Sequence, residues 1–340
     1  MAMGRFLNPA DAYDAGLLGA YTDPREDELC ADSIIRHGGN PDGSSVAHEW
    51  DFADAGKGKL VPMWEHVVRT WPGCWPGPAQ ENGSCVSFGL QRACLMSWTC
   101  ELIDGRPDEV TGVIEGKPDL SAEAIANSVL SNEVPYWYRG HNGADGWTCS
   151  GAARAVTTEC GIWLRQDYPE FKLDLTTYSG DAEIKYGGSR RPPQPITDYG
   201  QTHLVRTATF LKTVEEIRDF LFSGYGVFFC SSLKWSSNRD ENGYSPVVPG
   251  TWMHSQAICG FDDRPETIRL YGEPLAAVLN SWGKRWNSGS RKVRGTDLEI
   301  PEGAYWSKAS VLLRGQCIAL SSVAGWPPRK LKSYGALGNV

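Results

Sequence analysis

The sequence predicts an α+β protein of two lobes. Three observations carry that prediction. The first half holds apolar residues at near-helical spacing, the second half breaks into short apolar runs divided by turns, and a Gly- and Pro-rich crossover, SGDAEIKYGGSRRPPQPITDYG, separates them. In chain order, Asp23 and Pro24 open a predicted helix over 26–36, and HGGNPDGSS and DAGKGK read as turns. After Cys85, Phe88, Ala93, Leu95, Trp98 and Leu102 form an apolar stripe that predicts a helix ending at Gly105. Further helices are predicted over Ser121–Leu130 and Cys149–Leu164. In TVEEIRDFLFSG, Thr213 and Glu216 fit a capping box and Gly224 is the stop. YGVFFCSSLKW, SQAICGFDD, TIRLYG and LAAVLNSW then read as short buried strands.

The chain has 340 residues, 41% of them hydrophobic and 22% charged, which is enough for a packed core. Lys and Arg number 33 against 41 Asp and Glu, a net charge of −8, and a nucleic-acid binder would need a basic face instead. No apolar run approaches the ~18 residues of a membrane span. The start, MAMGRFLNPADAYDAG, lacks an unbroken apolar core, so no secretory signal is read and an intracellular or particle-associated location is expected. Ten cysteines in this length fall well below the roughly 8–10% of a disulfide scaffold, and none form a CxxC pair. His141, Cys149 and Cys160 match no strong zinc spacing, so neither a metal nor an organic cofactor is expected. Cys94 and Cys100 share one helix without being neighbours on its face, which points to core burial.

Three segments carry candidate chemistry. In QENGSCVSF, Cys85 directly precedes an apolar helix, where the helix dipole and unpaired backbone N–H groups favour a thiolate. In MHSQAICGF, His254 opens an apolar run, and in LNSWGKRW, Asn280 closes one. A nucleophile needs a base, and the base needs a third group to fix its tautomer, so Cys, His and Asn fill three complementary roles. Singly, such residues are more often a small core hydrophobe, a structural histidine and a turn residue. Their order and flanking residues tip the balance.

Those residues resemble the papain-like cysteine peptidases over about 64–322. Gly83-Ser84-Cys85 with Ser87 and Phe88 matches the family's nucleophile motif. His254 precedes Gly260 and Phe261 as the family's histidine precedes its Gly-Tyr/Phe pair, and Asn280-Ser281-Trp282-Gly283 with Trp286 matches its Asn-Ser-Trp-Gly motif. GHNG at 140–143, then GIWLRQDYP and PEGAYW, resemble three further family segments. The resemblance implies a thiolate at Cys85, an imidazolium at His254, an orienting Asn280 and an oxyanion donor, Gln80, with Asn82 as a second candidate. It places Gly143, Ala144, Met253, Trp282 and Trp286 along the substrate, with Trp282 shielding the His254–Asn280 bond. The implied organisation is an N-terminal extension (1–62), a helical lobe with the nucleophile (63–190), a barrel-like β-rich lobe with His and Asn (191–326) and a tail (327–340).

The departures are informative. Gln80 lies five residues before the nucleophile where the family has six, and Val86 replaces a Trp. Ala144 replaces a glycine beside the specificity pocket, so substrate preference does not carry over. Asn82 and His141 occupy two positions that the family gives to disulfide-bonded cysteines. The expectation is that a side-chain hydrogen bond between them replaces that bond, with stability insensitive to reductant, as a reducing compartment would allow; stability carried instead by other cysteine pairs, for instance Cys149–Cys160 or Cys74–Cys94, would overturn the intracellular reading. The extension lacks the long heptad-like helix of a propeptide, and with Trp50 and Phe52 it is read as an integral part of the fold. The expected activity is peptide or isopeptide hydrolysis on a peptide or protein substrate. The alternative is a papain-fold structural or binding component of a larger assembly, such as a viral or phage particle, with a protein partner and with or without residual activity.

Overall fold

The computed structural model describes residues 20–21, 53–104, 117–140, 145–284, 286–287 and 289–321. The expectations placed on 26–36, Trp50, Phe52, His141, Gly143, Ala144 and the tail lie outside the described residues.

The helices run in chain order as α1 (Met63–Thr70), α2 (Cys85–Asp104), α3 (Ala122–Ala126), α4 (Glu133–Tyr136), α5 (Cys149–Thr158), α6 (Gly180–Glu183), α7 (Gln194–Gln201), α8 (Val214–Phe222), α9 (Pro265–Tyr271) and α10 (Ala309–Leu312). Helix α2 is buried on all sides for most of its length, as expected of a core helix. The capping box of Thr213 and Glu216 forms at the start of α8. Two helices are shorter than their patterns predict. Helix α3 stops at Asn127 because Ser128 and Val129 take left-handed backbone conformations. Helix α5 stops before Gly161, whose φ is 56° and whose absent side chain admits the backbone of Gly200 and His203. TIRLYG is a helix and not a strand. Pro265 sits in the first turn of α9, where its missing N–H costs nothing, and Gly272 caps the end.

The β-rich part is a seven-stranded sheet. Its strands are β1 (Leu60–Val61), β2 (Ala208–Leu211), β3 (Gly226–Trp235), β4 (Val247–Asp262), β5 (Leu275–Leu279), β6 (Ala304–Lys308) and β7 (Gln316–Leu320). The order is β6-β5-β4-β3-β7-β2, with β1 pairing to the end of β4 through Leu60–Asp262 and Val61–Phe261. Strand β4 extends well upstream of the predicted run, pairing with β3 back to Val247 through an irregular register near Leu233. Ala20–Tyr21 pairs in parallel with Trp147–Thr148 and packs against β3 and β4. Helices on one side and an antiparallel sheet on the other give the α+β, two-lobed architecture that the sequence predicts.

A disulfide joins Cys149, at the start of α5, to Cys230 in β3. This corrects the expectation that no disulfide carries stability, and it also corrects the candidate pairs. Cys74, Cys94 and Cys160 are thiols. Cys149 and Cys230 lie 81 residues apart, so nothing local in the sequence links them.

Candidate active site

Cys85 is the first residue of α2 and is buried. One helical turn on, Gly89 lies against β4: a Cβ there would sit 2.8 Å from Ser255 Oγ and 3.3 Å from the Gln256 backbone. Glycine at this turn therefore lets the Cys85 end of α2 approach the strand segment that carries His254. The helix packs along β4 and β3 as a whole.

His254 is buried in β4, and its Nε2 donates to Asn280 Oδ1 at 2.9 Å. The Ser281 backbone N–H donates to the same oxygen at 2.7 Å. That second donor fixes which end of the Asn280 amide faces the ring, so Nε2 carries the proton and Nδ1 keeps its lone pair. Nδ1 has no hydrogen-bond partner, nor do Asn280 Nδ2 and Trp282 Nε1. Trp282 stacks on the imidazole with ring centroids 4.7 Å apart and planes 29° apart. Trp286 meets Trp282 edge-on at 4.7 Å, and Trp252 adds a third indole at 5.1 Å from Trp282. Met253 is half-buried between Trp252 and His254 in the chain. Burial pulls the His254 imidazole down to about 4; the Asn280 bond opposes this and the Arg92 guanidinium adds to it. An imidazolium at this position therefore needs a negative charge beside it.

Gln80 is buried in the loop ahead of α2. Its backbone N–H donates to Ser281 O at 2.9 Å, its side-chain oxygen accepts from Ser281 Oγ, and its Nε2 donates to Asn82 O at 2.7 Å. The loop before Cys85 and the turn after Asn280 are thus hydrogen-bonded to each other, which brings the segments of Cys85, His254, Asn280 and Gln80 to one place.

The underside of that loop is polar and buried. Asn82 Nδ2 donates to Gly180 O and to Glu183 Oε2, each at 2.9 Å. The expected partner, His141, lies outside the described residues, and both Asn82 amide hydrogens go to the 180–183 segment. Asp145 accepts from the Gly83 N–H at 2.7 Å. Glu183 also accepts from Asn132 Nδ2 at 2.8 Å and from Tyr178 Oη at 2.9 Å. Burial lifts its carboxyl to about 8; the Asn82 and Tyr178 bonds oppose and the nearby Glu133 charge adds to the rise. Glu133 is itself paired with the buried Arg165. Sequence reading missed Glu183, Asn132, Tyr178 and Asp145, and none of them stands in a motif that would have flagged it.

Burial raises the thiols of Cys74, Cys259 and Cys317 to about 12 and those of Cys94 and Cys160 further, so none of these five is a ready thiolate. Among the described residues no cluster of His, Cys, Asp and Glu is arranged to hold a metal, and no helix is long and apolar enough to cross a membrane.

No protein-family model matches the chain, and the search of curated proteins yields no match. Solved structures do match. Xylellain, a cysteine protease from Xylella fastidiosa, aligns with a TM-score of 0.52 at 15% identity, over 91% of this chain and 97% of that one. ProCathepsin B S9 from Trypanosoma congolense aligns at 0.46 and 12% identity, over 95% and 91%. The ragweed cysteine protease Amb a 11, in its proform, aligns at 0.43 and 14%, over 85% and 72%. The xylellain alignment carries the conclusion: by its architecture, the chain has the fold of the papain-like cysteine proteases.

Proposed function

We propose that the chain is a papain-type cysteine peptidase that hydrolyses peptide or isopeptide bonds without a metal or organic cofactor. The observation that carries this reading is the His254–Asn280 pair, with its proton fixed on Nε2 and its unpartnered Nδ1. In this reading Nδ1 takes the proton of the Cys85 thiol. The thiolate supplies the negative charge that the buried imidazolium needs, and its attack on the carbonyl carbon forms a tetrahedral intermediate. That intermediate's oxyanion is held by the Cys85 N–H and the Gln80 amide. His254 then protonates the leaving amine, and water attacking the acyl-enzyme releases the acid and restores the thiol. Asn280 keeps the ring oriented, while Trp282 excludes water from the His254–Asn280 bond. The proposed substrate-facing residues are Met253, Trp282 and Trp286, with Gly143 and Ala144 opposite. The proposed organisation remains an extension, a nucleophile-bearing lobe and a lobe bearing His and Asn.

A second reading is a papain-fold structural or binding component of a larger assembly. It is favoured by one observation: Cys85 is 0% and His254 1% exposed, as buried as core residues. A peptide-epoxide or vinyl-sulfone thiol probe separates the two. The peptidase reading expects Cys85 to be modified far faster than the other cysteines and Cys85→Ala to abolish hydrolysis. Slow labelling spread evenly over several cysteines, with no hydrolysis, supports the structural reading.

A further inference from the structure

We propose that Glu183 is a positioning residue for the nucleophile, its carboxyl clamping the loop that carries Gln80 and leads into Cys85. This inference rests on the peptidase reading for its effect on turnover, and on the geometry alone for its effect on Cys85.

Glu183 lies about a hundred residues from the loop in sequence, yet it is fully buried beneath it. Three donors converge on its two oxygens, and each is turned inward by what it meets on its other side. Asn132 Oδ1 accepts from Arg165 Nη2 at 2.7 Å, so the Asn132 amide nitrogen must face Glu183. Tyr178 Oη accepts from the Glu81 N–H at 2.9 Å, so its own proton goes to Glu183. The Asn82 amide nitrogen spans Glu183 and Gly180 O. A carboxyl, ionised or protonated, keeps acceptor lone pairs on both oxygens and can take all three; the NH2 of an amide of the same shape accepts nothing and would set its own donors against one of them.

The clamp reaches the reacting groups through short paths. Asn82 O receives the Gln80 Nε2–H, so the residue gripped by Glu183 also holds the oxyanion donor. Tyr178 grips the loop one residue earlier, at Glu81. Asn132 accepts through its backbone oxygen from Ser87 Oγ, two residues into α2. Glu183 therefore touches both the approach to Cys85 and, through Asn132, the first turn after it. Asn82 stands at a position where the papain-like motif has a bonded cysteine, so a buried carboxyl–amide clamp does here the holding that the covalent bond would do.

The test uses the full chain, with Glu183→Gln, Glu183→Asp and Tyr178→Phe, each checked for a cooperative melt. Two rates are read: peptide hydrolysis, split into kcat and KM, and alkylation of Cys85 by iodoacetamide, followed by peptide mapping. Misplacement of reacting groups acts on the transition state, so Glu183→Gln is expected to lower kcat by about tenfold or more and KM by less than about threefold. It is also expected to slow Cys85 alkylation in parallel. Glu183→Asp keeps the carboxyl and recovers part of both rates, and Tyr178→Phe, which removes one arm, gives a smaller loss of the same kind. A purely structural role would lower the melting temperature and leave both rates of the folded protein unchanged; that result overturns the proposal. If Glu183→Gln does not fold, Tyr178→Phe and Asn82→Ala decide on the same criteria. If the parent chain hydrolyses no peptide, the peptidase reading fails by itself, and the Cys85 alkylation rates still judge the clamp.

Discussion

The two sides of Cys85 are built on opposite principles. On the His254 side the walls are aromatic, and buried polar atoms go unpartnered: His254 Nδ1, Asn280 Nδ2 and Trp282 Nε1. On the loop side every arm of the Glu183 cluster ends on a hydrogen bond, through Asn82, Asn132, Tyr178 and on to Arg165. An unpartnered buried donor or acceptor costs about 1–3 kcal/mol, so the three on this wall weigh against its stability. A satisfied network rigidifies instead. The difference teaches that the Asn82 side is fixed by hydrogen bonds, whereas the His254 side is fixed by the packing of indole rings. The means of attachment differ as well. The loop side is held by polar contacts. The His254 strand is backed by a covalent tie, since Cys230 pairs with Ser255 across the sheet and the Cys149 sulfur lies 3.7 Å from Ser255 Oγ.

The comparison breaks most sharply at Cys85 and His254, the pair proposed to react. Cys85→Ala and His254→Ala should each lower peptide turnover on the order of 10⁴-fold or more with the fold retained, measured by initial rates and by circular dichroism. Turnover that survives either change would remove that residue from the proposed mechanism.

The covalent tie comes next. Joining residues 81 apart is worth about 4–5 kcal/mol in the chain-entropy model. Reduction, or Cys149→Ala with Cys230→Ala, should lower the melting temperature markedly. An unchanged melt under strong reductant would mean that the His254 strand is held by packing alone.

Asn280→Ala should reduce kcat by roughly 10²-fold and leave KM within a few-fold, because ring orientation matters mainly in the transition state while the Trp282 stack still holds the imidazole in place. A change confined to KM would reassign Asn280 to substrate binding.

The smallest effect separates the walls by pH. His254 is depressed from 6.5 to about 4, so the unfolded chain binds a proton in that interval that the folded chain refuses, and stability is lost as pH falls through it. Glu183 is raised from 4.5 to about 8, so the folded chain keeps a proton that the unfolded chain has released. Its contribution is full below pH 4.5 and is lost as pH rises through about 8. The titratable and charged groups near Glu183 are the Tyr178 hydroxyl and the Glu133 carboxylate paired with Arg165, with Glu81 beyond Tyr178. Each slope approaches about 1.4 kcal/mol per pH unit. Urea titrations across pH should therefore show Glu183→Gln losing the alkaline decline and His254→Gln losing the acid one. Identical pH profiles for parent and variants would show that neither group titrates as its burial requires.

Much of the fold was legible in the sequence wherever the signal was local. The apolar run after Cys85, the capping box at Thr213 and the strands around Phe228 and Val278 all follow from side-chain period and end signals within a few residues. Local reading failed where two local signals competed. TIRLYG is apolar enough for a strand, but Pro265 two residues upstream and Gly272 at its end suit a short helix better. It failed again where a distant backbone decided the outcome, as at Gly161, where residues 200–203 pass too close for the helix to continue.

By itself the sequence determined which residues open helices and strands, and it marked Cys85, His254 and Asn280 by their neighbours in the chain. Only the tertiary structure decided who meets whom. The Cys149–Cys230 tie, the bond between Gln80 and Ser281, and the grip of Glu183 on Asn82 span 81 to 201 residues. The physical reason is that period, caps and turns are energies of neighbouring residues, present before the chain folds. A buried carboxyl has no partner and no cost until folding takes it out of water, and only then do the donors around it become necessary.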